Sequence, residues 1–196
     1  MEPIKLLENM TSIIPDDKAS ILLVHGKLKP SALIYIEGPV FGDLKHPTHI
    51  GPDELIDMDS VFSALGLEYC KTTEIMGAFK EQKYVEVIRF FIARDMHTAC
   101  KLKILFDNIS INHKEIGLLL GYPETSVNAF LTSNMLELAD SPESTDEVNK
   151  FDMRLLNHRL SKDNWNDEVK YLTQSGKYIK SMSPLIYADA TREEKL

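Results

Sequence analysis

The run Tyr84-Val-Glu-Val-Ile-Arg-Phe-Phe-Ile92 most constrains the fold. It is rich in β-branched and aromatic residues, and apolar side chains fall on both alternations. Such a segment reads as a central strand covered on both faces. Glu86 and Arg89 interrupt it. Three apart on a strand, they point to opposite faces, so they do not pair with each other. Each therefore needs a partner elsewhere, because buried charges are seldom left alone. Covering a central strand on both faces takes a sizeable chain. The 196 residues here correspond to about 1.3 average domains and suffice for a core without staples.

The other elements follow from spacing. Ile21-Leu-Leu-Val24 reads as a buried strand and Ala32 to Ile36 as a second, with Gly26 and Pro30 supplying the turn between them. Glu68 to Thr73 is a short strand, and Gly77 to Lys83 is placed to close a hairpin onto Tyr84–Ile92. Helical spacing covers Glu2 to Ile14, Asp53 to Leu65 and Met96 to Phe106. A further helix runs from Asn112 to Leu120, with Asn112 and Glu115 forming a variant capping box. Gly121 stops it, and Pro123 opens the next. Between Gly38 and Pro52 lie three Gly and three Pro, a long polar loop of the kind that tends to carry function. After residue 136, Val148, Phe151, Leu155 and Leu156 form one apolar stripe, and Trp165, Val169 and Leu172 another. Strands cluster in the first half and helices in the second. The expected class is α+β, with a small, mainly antiparallel sheet and a C-terminal helical extension. The expected division is a body at 1–136, the extension at 137–188 and a charged tail at 189–196.

Charge narrows the partners. With 22 basic and 30 acidic residues the net charge is −8, which weighs against a general nucleic-acid coat. The charge is uneven. Residues 137–152 hold six carboxylates and one lysine, whereas 71–106 hold seven bases and four acids. That positive stretch is a candidate for holding an anionic ligand or for meeting the acidic segment of this or another copy. No apolar run approaches the roughly 20 residues of a membrane span, and the N-terminus lacks the pattern of a secretory signal. Cys70 and Cys100 match no zinc spacing. They are expected as reduced thiols of a cytoplasmic protein, with one disulfide as the alternative.

Three motifs suggest chemistry. Asp43, His46 and His49 are competent ligands for a divalent metal, and His25 could supply a fourth. They would support a metal-assisted enzyme. No other cofactor is indicated. Glu115 to Gly121 followed by Ser126 to Leu131 has the rhythm of a helix-turn-helix, the mark of an acidic transcriptional regulator. Yet 123–135 contain neither Lys nor Arg, whereas DNA readers use such side chains on phosphates and guanine edges. Leu22-Leu-Val-His25-Gly26 looks like the oxyanion strand of an α/β-hydrolase, but no Gly-x-Ser-x-Gly accompanies it. Phosphate-binding glycine loops are absent as well. The ligand-binding candidates are His25, Arg89, Arg94 and Tyr122, provided that they converge.

Two short patches, His25 with Lys29-Pro30 and His113-Lys-Glu-Ile-Gly-Leu-Leu-Leu-Gly-Tyr-Pro123, resemble a prokaryotic family built on a domain of unknown function. The resemblance extends over about residues 20–135 and departs in the 38–52 loop and the acidic tail. It implies no activity, only that His25, Glu115, Tyr122 and Pro123 share one structured region. The leading expectation is a non-catalytic binding protein that self-associates through its amphipathic C-terminal helices, since apolar stripes must be buried somewhere.

Overall fold

The computed structural model describes residues 3–41, 52–78, 83–136 and 160–191. The sheet has three antiparallel strands in the order β1-β3-β2: β1 (Ser31–Phe41), β2 (Glu68–Ala78) and β3 (Lys83–Ala93). The strand expected at the centre is β3. β2 and β3 are paired throughout, from Glu68 opposite Ala93 to Ala78 opposite Lys83. β1 pairs with the other side of β3, with a register shift between Glu37 and Val40. The class is α+β, as the clustering of strands implied.

Helices cover both faces, which explains the apolar residues on both alternations of β3. One layer contains α1 (Pro3–Asn9), α2 (Pro15–His25), α3 (Pro52–Ala64), α7 (Trp165–Met182) and α8 (Pro184–Ala190). Its core joins Ile34, Ile88, Phe90 and Ile92 of the sheet to Leu22, Phe62, Leu172, Ile179 and Ile186. On the other face lie α4 (Met96–Phe106), α5 (Ile109–Leu119) and α6 (Glu124–Leu131). There Phe91 meets Leu102 and Ile116, with Leu33, Cys70 and Phe106 packed around them.

Two expectations are corrected. Ile21 to Val24 form no strand; they lie inside α2, and all four are fully buried. An apolar run this short has no period, so strand and buried helix look alike in sequence. The start signals outside the run decide for helix: Pro15 at its first position, and Asp16 and Asp17 in its first turn. The second correction concerns the stripe Trp165, Val169, Leu172. It packs into the protein's own core and so supplies no reason to self-associate. The stripe at 148–156 lies outside the described residues.

The Asn112 capping signal is also informative. α5 begins earlier, at Ile109, but Asn112 has non-helical angles within it (φ −113°, ψ 17°). Its side-chain amide donates to the Leu105 carbonyl at 3.3 Å. The residue that reads as a helix start marks a kink where the helix restarts.

Candidate functional site

The turn that follows α2 directs Lys29 inward. Leu28 and Lys29 both donate backbone N–H groups to the Leu23 carbonyl, and Lys27 takes φ 64° to make the turn. Lys29 is 5% exposed, and its Nζ reaches Ser20 Oγ at 3.4 Å. Asp17, one turn before Ser20 on α2, accepts the backbone N–H of Tyr35 at the open edge of β1. Burial pushes the Asp17 carboxyl up to about 6, with Asp16 adding to the shift while the Tyr35 amide and Lys29 oppose it. Burial likewise brings the Lys29 ammonium down to about 8, against the pull of Asp17. Both shifts have the sign expected when charge is removed from water.

Tyr35 connects this pair to the strands. Its ring lies 5.7 Å from the Arg89 guanidinium, which is also 5.7 Å from the ring of Phe106. Arg89 finds the partner that its position demanded in Glu74 of β2. Thr72 is the residue directly opposite Arg89, so Glu74 is a diagonal neighbour on the same face. The Arg89 side chain is 15% exposed, and its Nε is buried without a partner among the described residues. Burial raises the Tyr35 hydroxyl's pKa, while Arg89 opposes the rise.

Tyr122 completes the cluster from the α5–α6 turn. Burial raises its pKa, and the nearby Tyr35 adds to the rise. Gly121, at φ 78°, allows the turn to press on Lys29: a Cβ at position 121 would lie 2.9 Å from Lys29 Cγ and 3.3 Å from its Cα. Tyr171 of α7 donates its hydroxyl to the carbonyls of both Leu28 (3.2 Å) and Gly121 (2.9 Å), and Ser31 Oγ donates to Leu119 O at 2.7 Å. The Lys29-Pro30 patch and the Gly121-Tyr-Pro123 patch are therefore in direct contact. Gly121→Ala is expected to destabilise the protein by about 1–3 kcal/mol in urea titrations, because it adds left-handed strain to a steric overlap.

Of the four ligand-binding candidates, Arg89 stacks on Tyr35, and Tyr122 lies within electrostatic reach of the same tyrosine. The other two lie elsewhere. His25 Nδ1 is 2.8 Å from the Leu65 carbonyl and ties α2 to the α3–β2 turn. Arg94 is exposed in the turn into α4, beside Asp95. Asp43, His46 and His49 lie outside the described residues. No group of three or more metal-binding side chains occurs among the described residues. Sequence reading missed Asp17 and Tyr35: the first reads as an ordinary helix-start acid and the second as one alternation of an edge strand. Lys29 was visible only as part of a patch.

The cysteines differ from expectation. Cys70 of β2 and Cys100 of α4 are joined as a disulfide, with Cα atoms 5.8 Å apart. The pairing depends on α4 lying across the second face of β2, which no spacing in the sequence reveals.

A cleft of about 550 Å³ opens beside β2, between the end of α3 and the first turn of α4. Phe62 and Leu67 form its apolar part, while Asp59, Glu68 and Lys71 supply charge. Across it the Tyr69 hydroxyl donates to Asp59. Burial and Asp59 together push that hydroxyl's pKa up to about 12.

No family model, curated protein or solved structure matches this chain. No helix among the described residues is long and apolar enough to cross a membrane.

Proposed function

We propose that this protein is a non-catalytic binding protein of the cytoplasm that associates with a second copy of itself through the α4–α6 layer. The observation that carries the reading is the apolar surface of those helices. Ile111 is 80% exposed, Ile104 63% and Phe130 57%, and Ile109 and Leu131 are also exposed. Phe130 packs edge-on against His113 at 5.8 Å, so one side chain is already seated beside the surface. Large apolar side chains left exposed on all three helices of one layer are what an interaction surface would use. A second copy suits the uneven charge: the basic surplus of 71–106 in one copy would attract the acidic 137–152 segment of the other. Sedimentation velocity across a concentration series should show a reversible dimer, weaker at high salt. Ile111→Glu/Phe130→Glu should shift it to monomer. A strictly monomeric protein over its whole soluble range would overturn the reading.

A second reading is favoured by the buried, unpartnered Nε of Arg89. A small carboxylate or phosphate would compete with Glu74 for the guanidinium, beside Tyr35 and Tyr122. Inorganic phosphate or acetate should then perturb the Tyr35 and Arg89 resonances, and the effect should disappear in Arg89→Gln. Two further readings have direct tests. A metal-assisted enzyme requires stoichiometric metal in untagged protein that is lost on His46→Ala/His49→Ala. A regulator requires DNA binding at low salt, where the electrostatic contribution is largest. Against it, α6 carries Glu124, paired with Lys114 at 3.5 Å, and no basic residue.

A further inference from the structure

The structure points to a second property that does not depend on dimer formation. We propose that Cys70 and Cys100 form a reversible thiol–disulfide pair that tethers the first turns of α4 to the edge strand β2, and that thiols open and close it without unfolding the protein.

The geometry favours cycling over a purely structural bond. Both cysteines are partly exposed, so a thiol can reach them. Their Cα separation of 5.8 Å lies inside the roughly 4.4–6.8 Å range of disulfides, so neither bond formation nor breakage requires backbone movement. Each element is also held without the bond. β2 is paired with β3 from Glu68 to Ala78. α4 is anchored by Ala99 and Leu102, both fully buried, and by Asp95, whose side chain accepts the Thr98 N–H at 2.8 Å. Reduction would leave two thiols facing each other across an intact interface. Met96 couples the pair to the cleft: its Sδ lies 3.7 Å from Cys70 Sγ, and it lines the cleft wall. It sits four residues before Cys100, on the same side of the helix.

The exchange balances with a small thiol such as glutathione. A first glutathione thiolate attacks one sulfur. The S–S bond breaks, a mixed disulfide forms, and the departing cysteine takes a proton. A second thiolate attacks the glutathione sulfur, releasing oxidised glutathione and the second protein thiol. The protein gains two electrons and two protons, and two glutathiones are oxidised. Oxidised glutathione drives the reverse.

The test equilibrates the full chain in buffers of varied reduced-to-oxidised glutathione ratio, traps thiols with N-ethylmaleimide and reads the intact mass. Two maleimide additions should appear together in one reversible transition. Amide spectra should show a folded chain at both ends, with faster hydrogen exchange in the first turn of α4 when reduced. In Cys100→Ser, Cys70 should take up one glutathione while the protein remains folded. The proposal is overturned by any of three results: no disulfide in oxidised glutathione alone, a disulfide that persists at every ratio, or loss of the fold on reduction. Failure of Cys100→Ser to form the adduct except in urea would overturn it as well.

Discussion

Glu168→Ala is expected to cost about 3–5 kcal/mol of folding stability, the range for removing one member of a buried charged network. Glu168 is 2% exposed on α7. Its carboxylate accepts the Ser161 backbone N–H at 2.7 Å, Ser161 Oγ at 2.6 Å and Thr125 Oγ1 at 2.6 Å. One side chain thus joins the start of α6, the 160–161 segment and α7. Alanine would leave several buried donors without an acceptor. Glu168→Gln should recover only part of the loss: its amide oxygen can take the Ser161 N–H, but its NH2 forces the two hydroxyls to act as acceptors and the charge-assisted bonds are lost. The measurement is the midpoint of urea unfolding at pH 7. Burial acts to raise the Glu168 pKa, but the hydrogen bonds from Ser161 and Thr125 outweigh it, and the net shift is downward from 4.5. Its contribution is therefore complete above the ordinary glutamate value and is lost as pH falls through the depressed one. In Glu168→Gln that loss on acidification should be absent.

The Asp17–Lys29 pair should behave in the opposite way. Replacing both, as Asp17→Asn/Lys29→Met, is expected to stabilise the protein by about 1–4 kcal/mol at pH 7. For Lys29, a pKa of about 8 against 10.5 corresponds to roughly 3 kcal/mol of penalty on the buried charge. Methionine keeps the stem that packs on Gly121, and asparagine can still accept the Tyr35 N–H. Asp17→Asn alone should destabilise, because it leaves the Lys29 ammonium with only Ser20. The pH dependence has a definite sign. The Asp17 carboxyl binds its proton more tightly in the folded state, so stability falls as pH rises from 3.8 to about 6. Lys29 releases its proton more readily when folded, so stability rises from about pH 8 to 10.5. Urea midpoints measured over pH 4 to 10 should show both slopes in the wild type and neither in the double variant. A double variant less stable than the wild type at pH 7 would contradict the reading of this pair as a cost to the fold.

Asp17 and Lys29 also show why the candidate site was only half legible. Arg89 stands out in the sequence because a charge inside an apolar strand demands a partner. Tyr122 stands out because Gly121 and Pro123 make a corner. The groups that join them do not stand out. Asp17 occupies a common position for an acid at a helix start, and Lys29 looks like a loop lysine until Gly121 covers it. His25 is grouped with Tyr122 by the resemblance alone, which carries no geometry. At the end of a helix, its ring reaches the Leu65 carbonyl instead.

What the sequence determined by itself was local. The mixed β-branched and aromatic run set β3 at the centre, the 3.6-residue spacing set α3 and α4, and Gly121 with Pro123 set the α5–α6 corner. Each depends on residues within one or two turns of each other, where backbone sterics and periodic burial suffice. The tertiary structure decided the rest: that Ile21 to Val24 are helical, that the Trp165 stripe lies inside the protein's own core, that Cys70 meets Cys100, and that Glu168 binds across three segments. Each of these depends on which distant faces come into contact. That choice rests on burial and hydrogen bonding summed over the whole fold, and no single stretch of residues encodes it.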